Sequence, residues 1–183
     1  MIKEAIDNIG AILTSNNWVE RYGGLTYLLT DKREQSNAKY PISTSVTGAE
    51  CWETGRYKQL IPNSEYKSVA YFEEIRNNTS FTFQNNKIEM VARLVVWVNY
   101  PAIGLSAANR EGLINDITNI YANNRFGDGT YLYDVRTTIE EIDTKAFTVN
   151  NVFGQYNLSN DALFLYPYDC FSIPIKIRAI LND

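Results

Sequence analysis

Near the start of the chain, apolar residues recur at three- and four-residue steps: Ile2, Ala5, Ile6, Ile9, Ile12 and Leu13. That period predicts an α-helix with one apolar stripe that needs covering. Ser15-Asn16-Asn17 follows, and its short polar side chains compete for backbone hydrogen bonds and end the helix. Gly23-Gly24 predicts a turn, and Leu25 to Thr30 a short strand. Between Asp31 and Asn63 the pattern dissolves into polar sequence with Pro41, Pro62 and a weak strand at Ile42 to Val46. Trp52, Tyr57, Leu60 and Ile61 punctuate it. So long an irregular stretch inside a compact domain predicts a functional loop or an arm.

Regular alternation then returns. Val69 to Ile75 reads as a strand broken by Asn77-Asn78, and Phe81 and Phe83 alternate with Ser80 and Thr82 in a second, half-buried one. Asn85-Asn86 suits a two-residue hairpin because Asn tolerates positive φ. The return strand, Lys87 to Tyr100, becomes solidly apolar through Leu94-Val95-Val96-Trp97-Val98, which predicts a central strand covered on both faces. Ser106 is the expected cap of a second helix reaching about Asn123, with Leu113, Ile114, Ile117, Ile120 and Tyr121 as its stripe. Arg125 to Thr130 (RFGDGT) reads as a turn, since it lacks phosphate-loop spacing and follows a helix where that loop follows a strand. Tyr131 to Asp143 is the next strand, with Val135, Thr137 and Ile139 opposite Arg136, Thr138 and Glu140. Asn150 to Asp161 is irregular, with a helical turn at Val152 to Tyr156. In the final strand Phe171, Ile173, Ile175 and Ile177 oppose Ser172, Pro174, Lys176 and Arg178. Pro174 has no N–H for a ladder, which predicts an edge or a non-bonded position. An exposed edge is a template for pairing with another chain.

A chain of 183 residues with 45% hydrophobic and 21% charged content fits one α+β domain, residues 1–183, with residues 31–63 as an extended loop or arm. At that size it needs neither metal nor disulfide to hold together. Thirteen tyrosines suit contact surfaces, because Tyr combines a large apolar body with one polar tip. A net charge of -4 with no basic block argues against a sequence-specific nucleic-acid binder. Cys51 and Cys170 match no metal or redox spacing and read as two buried free thiols. Met1-Ile2-Lys3-Glu4 lacks the pattern of a secretory signal, and no apolar stretch is long enough to span a membrane. Synthesis and folding in a cytoplasm are expected, and the Asn-X-Ser/Thr matches at Asn77, Asn78 and Asn157 read as chance.

The chain has no histidine, so the commonest general base, the usual triads and most zinc sites are missing. Glu73-Glu74 and Glu140-Glu141 are neighbours within strands and point to opposite faces, so neither pair forms a shared-proton dyad. Asp128, Asp134 and Asp143 do not fit the calcium-loop spacing. The expectation is a protein that is not an enzyme and holds no metal or cofactor. Candidate subunit contacts are Tyr40, Trp52 and Tyr57 in the arm and Pro174, Lys176 and Arg178 on the final strand. Trp52 serves either an interface or the cover of one end of the core. Trp52, Tyr57, Tyr166 and Tyr168, set among Asn residues, also resemble the equipment of a carbohydrate- or ligand-binding module, which is the alternative reading.

The order of elements resembles the tail-terminator, tail-completion and neck-ring (head–tail connector) proteins of tailed phages. The resemblance rests on Ile2 to Leu13, Val91 to Val98 ending at Asn99-Tyr100-Pro101, Leu113 to Tyr121, and Phe171 to Ile180. The Asn- and Tyr-rich composition is similar to that of structural proteins from crAss-like phages of Bacteroidetes. The resemblance implies an α+β fold with a mixed or mostly antiparallel sheet and two main helices packed on one face. It implies a homo-oligomeric ring, a hexamer or dodecamer, that joins portal or head to tail among other neck rings. The resemblance further implies a channel for DNA, with no sequence-specific contact. The expected location is the virion, after assembly in the host cytoplasm. The long Asp31 to Asn63 segment departs from the compact core of that family.

Overall fold

A computed structural model describes residues 2–31, 38–43, 52–53, 56–57, 60–75, 80–82, 86–122, 124–127, 129–142, 144–154, 156 and 161–181, of which 27–31, 38–43, 52–53, 56–57, 80–82, 144 and 161 are described by their backbone alone. In chain order the elements are α1 (Ile2–Leu13), β1 (Arg21–Asp31), β2 (Ala38–Ser43), β3 (Trp52–Glu53), β4 (Arg56–Tyr57), β5 (Ser68–Glu74), β6 (Ser80–Thr82) and β7 (Lys87–Asn99). Then come α2 (Arg110–Tyr121), β8 (Arg125–Phe126), β9 (Leu132–Ile139), α3 (Val149–Phe153) and β10 (Tyr168–Leu181). The class is α+β with a mixed sheet.

Eight strands make that sheet in the order β2-β1-β5-β7-β10-β9-β8, with β6 also on β7. Only the β1–β5 pairing is parallel among the described strands. β5 and β6 lie end to end along the same side of β7, with the predicted Asn77-Asn78 break falling between them. Residues 76–79 and 83–85 lie outside the described residues. The register pairs Thr82 with Lys87, so four residues and not the expected two at Asn85-Asn86 separate β6 from β7; Asn86 holds φ 53.

The apolar run of β7 has the physical cause its sequence suggests, a cover on each face. Leu94, Val96 and Val98 enter a core with Ala5, Ile6, Ile9 and Leu13 of α1 and Leu113, Ile117 and Tyr121 of α2. Val95 and Trp97 enter a second core with Leu60, Val69, Tyr71, Val152, Phe153 and Tyr156. Burial of Ile6, Ile9 and Leu13 at about 1.5–3 kcal/mol each is the main reason α1 stays docked. Buried polar links add direction: Tyr121 Oη donates to the Ile9 carbonyl at 3.0 Å, and Thr137 Oγ1 to the Tyr121 carbonyl at 2.7 Å. Trp97 Nε1 donates to the Leu163 carbonyl at 2.7 Å and ties down the second layer.

Several expectations need correction. Ile12 is on the predicted stripe of α1 but is 45% exposed, because Ala5, Ile6, Ile9, Gly10 and Leu13 already span the docked face. Gly23-Gly24 is not a turn. β1 runs straight through it, with a register shift between Tyr22 and Leu25 and Gly24 at φ 60, a β-bulge that glycine accommodates at little cost. Ser106 does not cap α2; Asn109 does, its side chain accepting from the Gly112 N–H at 3.2 Å, after a 3-10 turn at Pro101–Ile103 has consumed part of the connection. Arg125 and Phe126 belong to strand β8, so the expected turn does not begin at Arg125, and Asp128 lies outside the described residues. Within residues 31–63, β2 pairs with β1 from Thr26↔Ser43 to Asp31↔Ala38, and β3 pairs with β4. The segment is therefore irregular only in part, and the predicted strand at 42–46 extends beyond the described residues after Ser43.

Candidate interaction surfaces

The six residues singled out by sequence fall in two places. Tyr40 lies in β2, while Trp52 and Tyr57 face each other in the β3–β4 register; the side chains of all three lie outside the described residues. Pro174, Lys176 and Arg178 share one face of β10. Their strand is not an edge, because β7 pairs along one side of it and β9 along the other. Proline is tolerated there for a geometric reason. The Glu140 N–H donates to the Pro174 carbonyl at 3.1 Å, so the Pro174 nitrogen, on the same side, points past the end of β9 and leaves the β7 ladder intact. The terminal strands in the sheet order are β2 and β8.

The second layer covers only part of its sheet face. Cys170 and Ser172 are buried beneath it, and beyond them the same face of β10 opens to solvent through Pro174, Lys176 and Arg178. There the side chains form an ion-pair lattice across strands. Lys176 Nζ lies 2.8 Å from Glu89 and 3.8 Å from Glu140, and Arg178 Nε lies 2.8 Å from the other Glu89 oxygen. Those two cations hold the Glu89 carboxyl below its ordinary range, chiefly by hydrogen bonds from Lys176 and then Arg178. On β9, Asp134 adopts φ 50 at a bulge and lies 2.9 Å from Arg125 and 3.1 Å from Arg136. The bulge explains why Leu132 and Val135 both point inward despite odd spacing.

Where the second layer does cover the sheet, its polar contents are held inside the fold. Glu73 is 7% exposed, accepts from the Arg93 Nε at 3.0 Å, and is bonded as well by Arg93 Nη2 and Tyr156 Oη. Arg93 also donates to the carbonyls of Asn151 at 2.6 Å and Val152 at 3.4 Å. A cavity of about 290 Å3 adjoins it, lined by Arg93, Glu141, Lys145, Asn151, Ser172 and Pro174. With its donors turned to Glu73 and α3, Arg93 is a strut between sheet and helix. Burial, then the neighbouring Glu73, pushes the Tyr156 hydroxyl well above its usual range.

At the far end of β10, Asp169 accepts from Tyr100 Oη at 2.7 Å and from Arg110 Nε at 2.9 Å, while the Arg110 guanidinium lies 5.0 Å from the Phe147 ring centre. This latch joins α2 to the last strand. Cys170 beside it is a buried free thiol pushed up to about 12, by burial first and Asp169 second; Cys51 lies outside the described residues. Tyr168 stacks on Trp97 with centroids 5.3 Å apart, so one of its faces is occupied, whereas Tyr166 is 66% exposed. Among the described residues no helix is long and apolar enough to cross a membrane.

Not legible in the sequence were the Glu73–Arg93–Tyr156 strut, the Asp169 latch and the place of Arg125 in a strand beside Arg136. Strand parity alone puts Arg136 and Arg178 on outward faces, but the pairing of β9 with β10 leaves no local sequence mark. No protein family, no protein of curated function and no solved structure matches this chain.

Proposed function

We propose that the chain is a structural virion subunit that closes into a ring in the head–tail connector, or at the tail end, of a tailed phage. The ring has six or twelve copies and joins portal or head to tail around the DNA channel. What supports the reading is the element order behind the resemblance: an amphipathic helix, a hairpin into the long strand β7, a second helix, then closing strands. The observation that carries the assembly half of it is the handover along β1. Arg21 to Leu25 pair with β5, and Thr26 to Asp31 pair with β2. The β1–β2 ribbon has six paired rows, about 17 Å at roughly 3.4 Å per residue. It ends the sheet on a strand whose outer side pairs with nothing among the described residues. Such an edge accepts a strand from another chain.

Deleting Ser36 to Lys58 removes β2, β3 and β4 and leaves the ladder from β1 through β5, β7, β10 and β9 to β8. The expected outcome is a folded monomer by circular dichroism and light scattering, against a ring for the full chain in light scattering and negative-stain images. A full chain that stays monomeric, and binds a glycan on an array, would replace this reading with the ligand-binding one.

A further inference from the structure

We infer that a row of three arginines on the open sheet face grips the outer face of α2 on a neighbouring copy, a contact that rests on the ring reading and gives it a direction. The register places Glu89, Arg178, Arg136 and Arg125 side by side across β7, β10, β9 and β8. The three arginine side chains are 61%, 63% and 62% exposed. Like charges directly opposite each other across strands cost stability, and a carboxylate brought up by a neighbouring copy offsets that cost. Glu89 pairs with both Arg178 and Lys176, Glu140 also reaches Lys176, and Asp134 pairs with both Arg136 and Arg125, which leaves the outer faces of the three guanidinium groups toward solvent.

The complement lies on the other side of the molecule. α2 packs inward through Leu113, Ile117 and Tyr121, which leaves Glu111, Asn115, Asp116 and Asn119 exposed on the arc facing away from the sheet. Glu111 and Asp116 have no hydrogen-bond or ion-pair partner among the described residues, and the one basic residue of α2, Arg110, is committed to Asp169. Arginine meets carboxylates in paired, charge-assisted hydrogen bonds. Two arginine rows repel each other, and so do two acidic helices, so a two-fold dimer through either patch is disfavoured. Row to helix is attractive. Because the two patches lie on opposite sides of the layers, that contact runs head to tail, the geometry that closes into rings. The rest of an acidic chain, with net charge -4, supplies the background against which this row is selective.

Charge reversal on the full chain tests it, with mass photometry as the readout and circular dichroism to check the fold. Arg136→Glu/Arg178→Glu and Glu111→Arg/Asp116→Arg should each lose the ring alone, and mixing the two should restore the wild-type mass. High salt should dissolve the wild-type ring. If both variants keep the wild-type mass, the contact is wrong while the ring reading stands. If the wild-type chain is a monomer at low salt, the ring reading falls and takes the contact with it. Retention of a labelled DNA duplex by the wild type, lost in the arginine variant with the ring intact, would assign the row to nucleic acid and overturn the proposal.

Discussion

Glu73 shows how a single residue mixes what is local with what is not. Its outward neighbour Glu74 and its own inward direction follow from strand parity. A carboxylate 7% exposed nevertheless survives only because Arg93 and Tyr156 reach it, twenty and 83 residues away. Tyr156→Phe removes a hydrogen bond to an ionised group and should cost about 1.5–3 kcal/mol. Denaturant unfolding should show a lower midpoint with unchanged slope, and a loss below about 0.5 kcal/mol would mean that Tyr156 does not anchor α3. Cys170 makes a similar point: an isolated cysteine without a metal spacing suggests a buried thiol, but the Asp169–Arg110 latch beside it is visible only in the fold.

Elements were legible wherever one period dominated. α1, α2, β7 and β10 all follow from spacing, because burying a stripe or a face is a repeated demand on many residues. Their ends and irregularities depend on single residues with competing options, which is why Asn109 displaced Ser106 as the cap and Gly23-Gly24 became a bulge. Close approach between elements was also invisible. A Cβ on Gly10 would lie 1.6 Å from Tyr22 Oη and 2.4 Å from Cζ, so α1 meets β1 there with room for hydrogen alone. Gly10→Ala should therefore destabilise by about 1–3 kcal/mol through overpacking, despite a gain of up to ~1 kcal/mol in helix propensity. Thermal melts of Gly10→Ala, Tyr22→Leu and the double variant should show strong coupling; additive losses would refute the clash.

The whole molecule carries a consequence in alkali. Tyr22, Tyr71, Tyr100, Tyr121 and Tyr156 are all raised above the ordinary phenol range, with burial the largest cause for each. A raised folded value means the native state keeps its proton where the unfolded chain loses it. The stabilisation is thus complete below the unfolded value of about 10 and is lost as pH rises above it. Each group contributes up to ~1.4 kcal/mol per pH unit, so five acting together should unfold the domain cooperatively within a unit or two above pH ~10. Absorbance at the phenolate band should rise in one step with the loss of circular dichroism. A gradual titration of all 13 tyrosines with the fold intact would contradict the burial. In acid the effect is smaller, since the lowered Glu89 loses its pairing as pH falls through its folded value, and an exposed lattice is worth only ~0.2–1 kcal/mol.

The chain alone determined the helices, the long two-sided strand β7, the parity of β10 and the absence of an imidazole, since each is written in the period or identity of neighbouring residues. Tertiary structure decided that β10 is interior, that β2 and β8 bound the sheet, and that three arginines from three strands stand in one row. Strand order is a choice among pairings that satisfy the same local pattern. Only the burial of both sheet faces at once, with loops of the lengths this chain has, selects one of them.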